Sequence, residues 1–321
     1  MIVTLTANPS LDRTIELSEP LRRGEVQRAF ATEEQPGGKG VNVSRALLAS
    51  GLDTLAVLPG ARTDPMLQAL AAAGIPSANL PVTGRIRSNV TLTEPDGTTT
   101  KVNEPGPTLT DSDAEALTRL VVASSAGATW LVLAGSLPPG LSDDFYARVI
   151  RAVRAELGSS APRVAVDSSG APLSALFAAG AQVDLIKPNA EELAELTGAA
   201  VGDALEDDVD AAFDAARSLV GPGCAAVLAT LGSRGAVLAT ADGGWLAEMP
   251  PVVPRSTVGA GDSSLAGYLL ADAARQPPER RLAQAVAHGS AAASLPGSTM
   301  PAAHQTRPDT AILRSLSSRT P

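Results

Sequence analysis

Ser256-Thr257-Val258-Gly259-Ala260-Gly261-Asp262-Ser263-Ser264 runs directly into an apolar, helix-periodic segment, Leu265 to Ala274. Two glycines around one alanine, just before a helix start, let the backbone turn sharply and aim several N–H groups outward with no side chain in the way of an anion. The positive end of the helix dipole adds to that seat. Asp262 then places a carboxylate at its edge, where a site for phosphate alone gains nothing from more negative charge, so a base is the better explanation. The plainer alternative is that Asp262 caps the helix, with Leu265, Leu269 and Ala273 as its buried stripe. Capping needs neither glycine and does not exclude catalysis.

Outward from this stretch, strand and helix patterns alternate from Ala114 onward. Trp130 to Ala134 reads as a strand leading to Gly135-Ser136-Leu137-Pro138-Pro139-Gly140. Arg163 to Val166 ends at Asp167-Ser168-Ser169-Gly170, and Leu185-Ile186-Lys187-Pro188-Asn189 precedes the helix Ala190 to Leu196. Such alternation predicts an α/β fold, a mostly parallel sheet covered by helices on both faces. Ligands in these sheets sit at the carboxyl ends of the strands, where the polar motifs fall.

The 321 residues suffice for one large α/β domain, and 44% hydrophobic content excludes a disordered chain. Cys224 as sole cysteine excludes a disulfide framework and suits a reducing, cytoplasmic setting. His288 and His304 have no second metal ligand nearby in sequence. Met1 to Leu5 starts as a strand rather than as a signal peptide, and no apolar run has membrane-spanning length. A net charge of −9 argues against nucleic acid or an anionic membrane as main partner, so an anionic small substrate requires a local basic cluster. Lysine occurs only as Lys39, Lys101 and Lys187 in a chain that otherwise uses arginine, and each falls in a motif.

Near the N-terminus, an apolar strand over residues 2 to 7 ends in Asn8-Pro9-Ser10-Leu11-Asp12. Asp12 is either a sugar-hydroxyl acceptor or a turn cap. Pro36-Gly37-Gly38-Lys39-Gly40-Val41-Asn42-Val43 opens a helix. Its glycines admit a polyol or phosphate to the main chain, although turn chemistry alone also uses such residues. Arg85 to Leu92 and Thr98 to Val102 pair around Pro95-Asp96-Gly97. With two exposed strands within Arg13 to Thr32, they predict a small separate sheet, a lid, with Arg87 and Lys101 able to reach one face. Exposed arginines on strands are commonly solvated surface, and alone Arg87 says little.

Asn189 and Glu192 form a capping-box pair; the competing reading has both facing a metal–nucleotide complex, with Glu192 acting through water on Mg²⁺. Gly232-Ser233-Arg234-Gly235 is a glycine hairpin able to lie under a nucleotide. Gly221 to Ala226 matches a dinucleotide fingerprint only superficially, because it precedes a strand, and there is no P-loop motif. Arg280 to Ser294 reads as a small-residue helix for core packing, and residues 301 to 321 as a loosely held tail.

Together these motifs resemble the ribokinase/PfkB carbohydrate kinases, and within them the 1-phosphofructokinase branch, over essentially the whole chain. The resemblance is carried by Thr6-x-Asn8-Pro9-x-x-Asp12, Gly37-Gly38-Lys39-Gly40-x-Asn42-Val43, Asn103-Glu104-Pro105-Gly106-Pro107 and Gly135-Ser136-Leu137-Pro138. It continues through Lys187-Pro188-Asn189-x-x-Glu192, Thr230-Leu231-Gly232-x-x-Gly235 and Thr257-Val258-Gly259-Ala260-Gly261-Asp262. It implies one ribokinase-like, Rossmann-like domain with lid strands over about residues 12–34 and 84–103, and a lid that is a candidate homodimer face. It implies ATP against Lys187, Asn189, Thr230, Gly232 and Gly235, Mg²⁺ through Glu192, and Asp262 as base beside a Gly259-Ala260-Gly261 anion hole. Asp12, Gly38 and Asn42 would hold sugar hydroxyls, while Lys39, Arg87, Ser136 and Lys101 would hold a phosphate already on the substrate. The implied reaction is phosphorylation of fructose 1-phosphate at O6. The alternatives are a tagatose 6-phosphate or fructose 6-phosphate kinase acting at O1 and, in a different class, a non-catalytic sugar-phosphate sensor.

Overall fold

In a computed structural model describing residues 1–199 and 202–317, the central apolar strand β1 (Ile2–Thr6) is buried along its whole length. Its alternating side chains serve two cores: Val3 and Leu5 face one layer of helices and Ile2 faces the other. The chain continues through β2 (Ser10–Leu17), β3 (Ala29–Gly37), α1 (Lys39–Ala49), β4 (Thr54–Pro59), α2 (Pro65–Ala72), β5 (Ser77–Leu80), β6 (Arg87–Thr93) and β7 (Thr99–Asn103). Next come α3 (Asp111–Ser125), β8 (Trp130–Ala134), α4 (Phe145–Leu157), β9 (Arg163–Asp167), α5 (Gly170–Ala178), β10 (Leu185–Ile186), α6 (Ala190–Thr197), α7 (Gly202–Asp207) and α8 (Val209–Ser218). The last elements are β11 (Ala226–Thr230), β12 (Ala236–Thr240), β13 (Gly243–Glu248), α9 (Ala260–Ala273), α10 (Pro278–Ser294) and β14 (Ile312–Leu316).

The large sheet has the order β14-β13-β12-β11-β10-β9-β8-β1-β4-β5. From β11 to β5 every neighbouring pair is parallel, and β12 to β14 add an antiparallel edge. The chain winds from β1 outward through β4 and β5, then returns to β1's other side with β8. That reversal opens a crevice beyond the carboxyl ends of β1 and β8. Helices α3 to α6 and α8 cover one face, and α1, α9 and α10 the other. A buried hydroxyl chain, Thr4 to Ser44 (2.9 Å) and Ser44 to Thr54 (2.8 Å), docks α1 onto β1 and β4.

The lid is a four-stranded sheet of order β3-β2-β6-β7. The Pro95-Asp96-Gly97 turn joins β6 and β7 as expected, with the Gly97 amide donating to the Glu94 carbonyl. The expected tail is a correction: residues 312–316 pair antiparallel with β13 and complete the sheet edge, because the alternating backbone of β14 satisfies donors and acceptors that β13 would otherwise leave open. Residues 318–321 lie outside the described residues. No described helix is long and apolar enough to cross a membrane.

Candidate active site

Helix α9 starts without a side-chain cap. Its N-cap is Gly259 in the left-handed region at φ +77°, a conformation that a Cβ penalises, and a methyl there would also overlap the Met300 terminal methyl. Asp262 is therefore not the cap: it is the third helical residue, and its carboxylate makes no capping bond. The Gly261 and Asp262 amides have no partner among the described residues, as expected for the first turn of an uncapped helix. Ser263 donates to the Gly259 carbonyl at 2.8 Å, so the helix is closed immediately behind them.

Asp262 is 7% exposed and accepts one bond from Asn42 Nδ2 at 2.9 Å. Burial, with the nearby Asp167 charge, pushes its carboxyl up to about 6, against the pull of Asn42, Lys39 and Lys187. A carboxylate with that value is mostly ionised at neutral pH and still accepts a proton readily.

Asp167, at the carboxyl end of β9 and fully buried, is the residue that sequence reasoning missed. Lys39 Nζ lies 2.7 Å from its Oδ1 and Lys187 Nζ 3.1 Å from its Oδ2. Burial would raise its pKa, yet the two ammonium groups overturn that and hold it below the usual carboxylate range. The available signal was positional: Asp167 ends a strand just as the motifs after β8 and β10 do. Lys39 also reaches Glu192 Oε1 at 3.6 Å; burial alone would lower its pKa, but the surrounding carboxylates raise it. The expectation that Lys39 holds a substrate phosphate together with Arg87 therefore starts from a Lys39 already paired with Asp167 and near Glu192. Lys39 opens α1, and its side chain turns toward the unbalanced carboxylates of β9 and α6. Lys187, 4% exposed, stands beside Gly261.

At the carboxyl ends of β10 and β11, Asn189 and Thr230 form a parallel bridge. The turn Gly232–Arg234 folds back so that the Leu231 amide donates to the Gly235 carbonyl at 2.8 Å. This brings Asn189, Thr230, Gly232 and Gly235 together. The capping box of α6 is present: Asn189 Oδ1 accepts from the Glu192 amide (2.7 Å) and Glu192 Oε2 from the Asn189 amide (2.9 Å). Glu192 Oε1 is left over on the Lys39 side.

On the lid side, Asp12 Oδ1 accepts from Ser10 Oγ at 2.7 Å and from Asn89 Nδ2 at 3.1 Å, and a Cβ on Gly37 would overlap the Asp12 carboxylate. Asn89 was also missed, although it sits directly opposite Asp12 in register and two residues from Arg87. Arg87 donates to the Asn8 carbonyl (3.1 Å) and the Glu104 carbonyl (3.2 Å). With Asn8, Ser136 and Ser169 it lines a cleft of about 510 Å³ at the β1/β8 switch point. Lys101 pairs with Thr91, which places it on the lid face shared by Asn89 and Asp12; it is exposed. Gly38 links β3 to α1 at φ +105°.

The model of the pfkB family carbohydrate kinases matches residues 5–305. A 1-phosphofructokinase of Xanthomonas campestris pv. campestris is 34% identical over 88% of this chain and 88% of its own length. An ATP-dependent 6-phosphofructokinase isozyme 2 of Escherichia coli K12 is also 34% identical, over 91% of this chain and 92% of that protein. The crystal structure of phosphofructokinase-2 from Escherichia coli in complex with substrates and products superposes with a TM-score of 0.85 at 31% identity, covering 95% of this chain and 96% of that one.

Proposed function

The chain belongs to the pfkB family of carbohydrate kinases, and from that premise we propose that it transfers the γ-phosphoryl group of ATP to a ketohexose phosphate, with fructose 1-phosphate phosphorylated at O6. The observation that carries the chemistry is buried Asp262, held by Asn42 at the uncapped start of α9. It takes the proton of the attacking hydroxyl. The open Gly261 and Asp262 amides behind the Gly259-Ala260-Gly261 turn, with Lys187 alongside, offset the charge that develops on the transferred phosphoryl group. Lys39, beside Asp167 and Glu192, bridges the sugar and nucleotide halves.

Asp12, Gly38 and Asn42 hold sugar hydroxyls, and Arg87 and Ser136 hold the existing phosphate in the switch-point cleft, with Lys101 adding charge from the lid face. ATP lies against Lys187, Asn189, Thr230, Gly232 and Gly235. Mg²⁺ fits here, because it takes oxygen ligands, keeps several waters and needs few carboxylates once phosphates are present. Glu192 Oε1, free of the capping box, would hold it through water, and the bound ion would screen charge between the phosphates. The exposed apolar side chains Phe30 and Val102 on the lid support a homodimer through that sheet.

A second reading is phosphorylation of a 6-phosphate at O1, favoured by the equal identity of the 6-phosphofructokinase relative. Fructose 1-phosphate and fructose 6-phosphate each carry a phosphate on one exocyclic carbon and a primary hydroxyl on the other, so one clamp and one base serve both. A sensor has no use for the base. The test is kcat/KM over fructose 1-phosphate, fructose 6-phosphate, tagatose 6-phosphate, fructose and ribose, with the product position determined. Fructose 1-phosphate should rank first. A 6-phosphate ranking first corrects the regiochemistry alone, and a free sugar ranking first sinks the phosphate clamp.

A further inference from the structure

An asparagine amide has a donor end and an acceptor end, and only the donor end helps a neighbouring carboxylate. Asn42 presents Nδ2 to Asp262, and the reason lies on its other side. Arg45, three residues along α1 and on the same helix face, donates from Nη1 to Asn42 Oδ1 at 3.1 Å and to the Pro36 carbonyl at 3.3 Å. Its Nη2 donates to Gln35 Oε1 at 2.8 Å, and the same oxygen accepts from Ser298 Oγ at 2.6 Å. Gln35 and Pro36 belong to lid strand β3. An unbroken path of side chains therefore runs from the lid, through one guanidinium and one amide, to the carboxylate of Asp262.

We propose that Arg45 is a positioning residue: held by lid strand β3, it fixes the orientation of the Asn42 amide and so ties lid placement to the geometry of the base. This rests on the reading of Asp262 as the base. An arginine suits the task because its planar fork reaches two acceptors in fixed directions, which an ammonium does not. The charged groups around it are Asp12 on β2, Glu33 on β3 and Asp262 on α9, all favouring the charged guanidinium against its burial. Around Asp262 stand Asp167, Lys39 and Lys187. Without Arg45 the amide is free to turn, and a carbonyl oxygen facing the carboxylate favours its protonated form.

The experiment is the pH dependence of kcat/KM for the parent enzyme, Arg45→Met, Asn42→Ala and the double variant. Because the base works ionised, Arg45→Met should move the acid-side midpoint upward by roughly half to one pH unit, the size expected for losing one hydrogen bond to the charged form. In the Asn42→Ala background the same substitution should move it no further. A merely structural role would lower activity evenly across pH and leave the midpoint in place, which would overturn the proposal. So would a shift that persists in full without Asn42, since it would come from the guanidinium charge and not from the amide. If Arg45→Met does not fold, Arg45→Lys, which keeps the charge but not the planar fork, carries the same test, with an unmoved midpoint again decisive against the proposal. Asp262→Asn in the same assay separates the two levels. If it keeps turnover, the base reading fails; if it is inactive while Arg45→Met leaves the midpoint alone, only the positioning role fails.

Discussion

Replacing Asp167 by Asn removes one fully buried negative charge and strands two ammonium groups, 2.7 and 3.1 Å from its oxygens. The two losses differ. The Lys187 side chain is 4% exposed and cannot recover a partner from water, whereas Lys39, at 35%, is partly solvated and its share is discounted. Breaking a buried pair by removing one partner costs about 3–5 kcal/mol, so the unfolding free energy of Asp167→Asn should fall by about that amount. Catalysis should respond in a direction that a destabilised protein has no reason to mimic. Burial is the main cause of the raised Asp262 value and the Asp167 charge the next. Removing that charge lets the Asp262 carboxyl fall from about 6 part of the way toward the ordinary carboxylate value. The acid limb of kcat/KM should then move to lower pH, by roughly one unit. Urea unfolding at pH 7 measures the first effect and initial rates from pH 5 to 8 the second. An acid limb that stays fixed or moves upward in a folded variant would refute the electrostatic link between the two carboxylates.

Three further outcomes are expected. Asp262→Asn should fold and bind ATP while kcat drops by about 10²–10⁴-fold; near-parent turnover in the purified variant removes the base assignment. Arg87→Met should raise KM for the sugar phosphate by roughly tenfold or more, since a charge-assisted bond contributes about 1.5–3 kcal/mol, and should leave ATP affinity unchanged; equal losses for both substrates would mean a general disturbance of the lid. His288 is buried between Ser50 and Gln284, and burial lowers its pKa to about 4. The unfolded chain gains that proton near pH 6.5, so this contribution is complete above pH 6.5 and is lost as pH falls toward 4, by up to about 3 kcal/mol. His288→Gln should flatten the stability–pH curve over that interval, and an unchanged slope in urea titrations would count against it.

Much of the molecule is legible in the residues alone because the signals are local. Alternating strand and helix patterns specify layers, Pro95-Asp96-Gly97 specifies its turn, and the glycines before α9 demand a backbone that few other residues adopt. Hence the α/β class, the lid and the placing of motifs at strand ends follow from sequence, as does Asp262 in the first turn of a helix opened by a glycine. Asp167 carries no local mark beyond ending a strand, and its importance arises because sheet order sets β9 where residues 39 and 187 can both reach it. The same holds for Asn42, whose partner Asp262 lies 220 positions away, and for Arg45, whose acceptors on β3 come within reach only once α1 packs beside the lid. Where the side chain of Lys39 points, whether Glu192 has an oxygen to spare after capping α6, and how residues 312–316 close the sheet edge were settled by which charges and open backbone groups the fold brought within reach. Backbone preference acts over a turn or a strand; electrostatic and hydrogen-bond partnership acts through space, and only the folded chain defines that space.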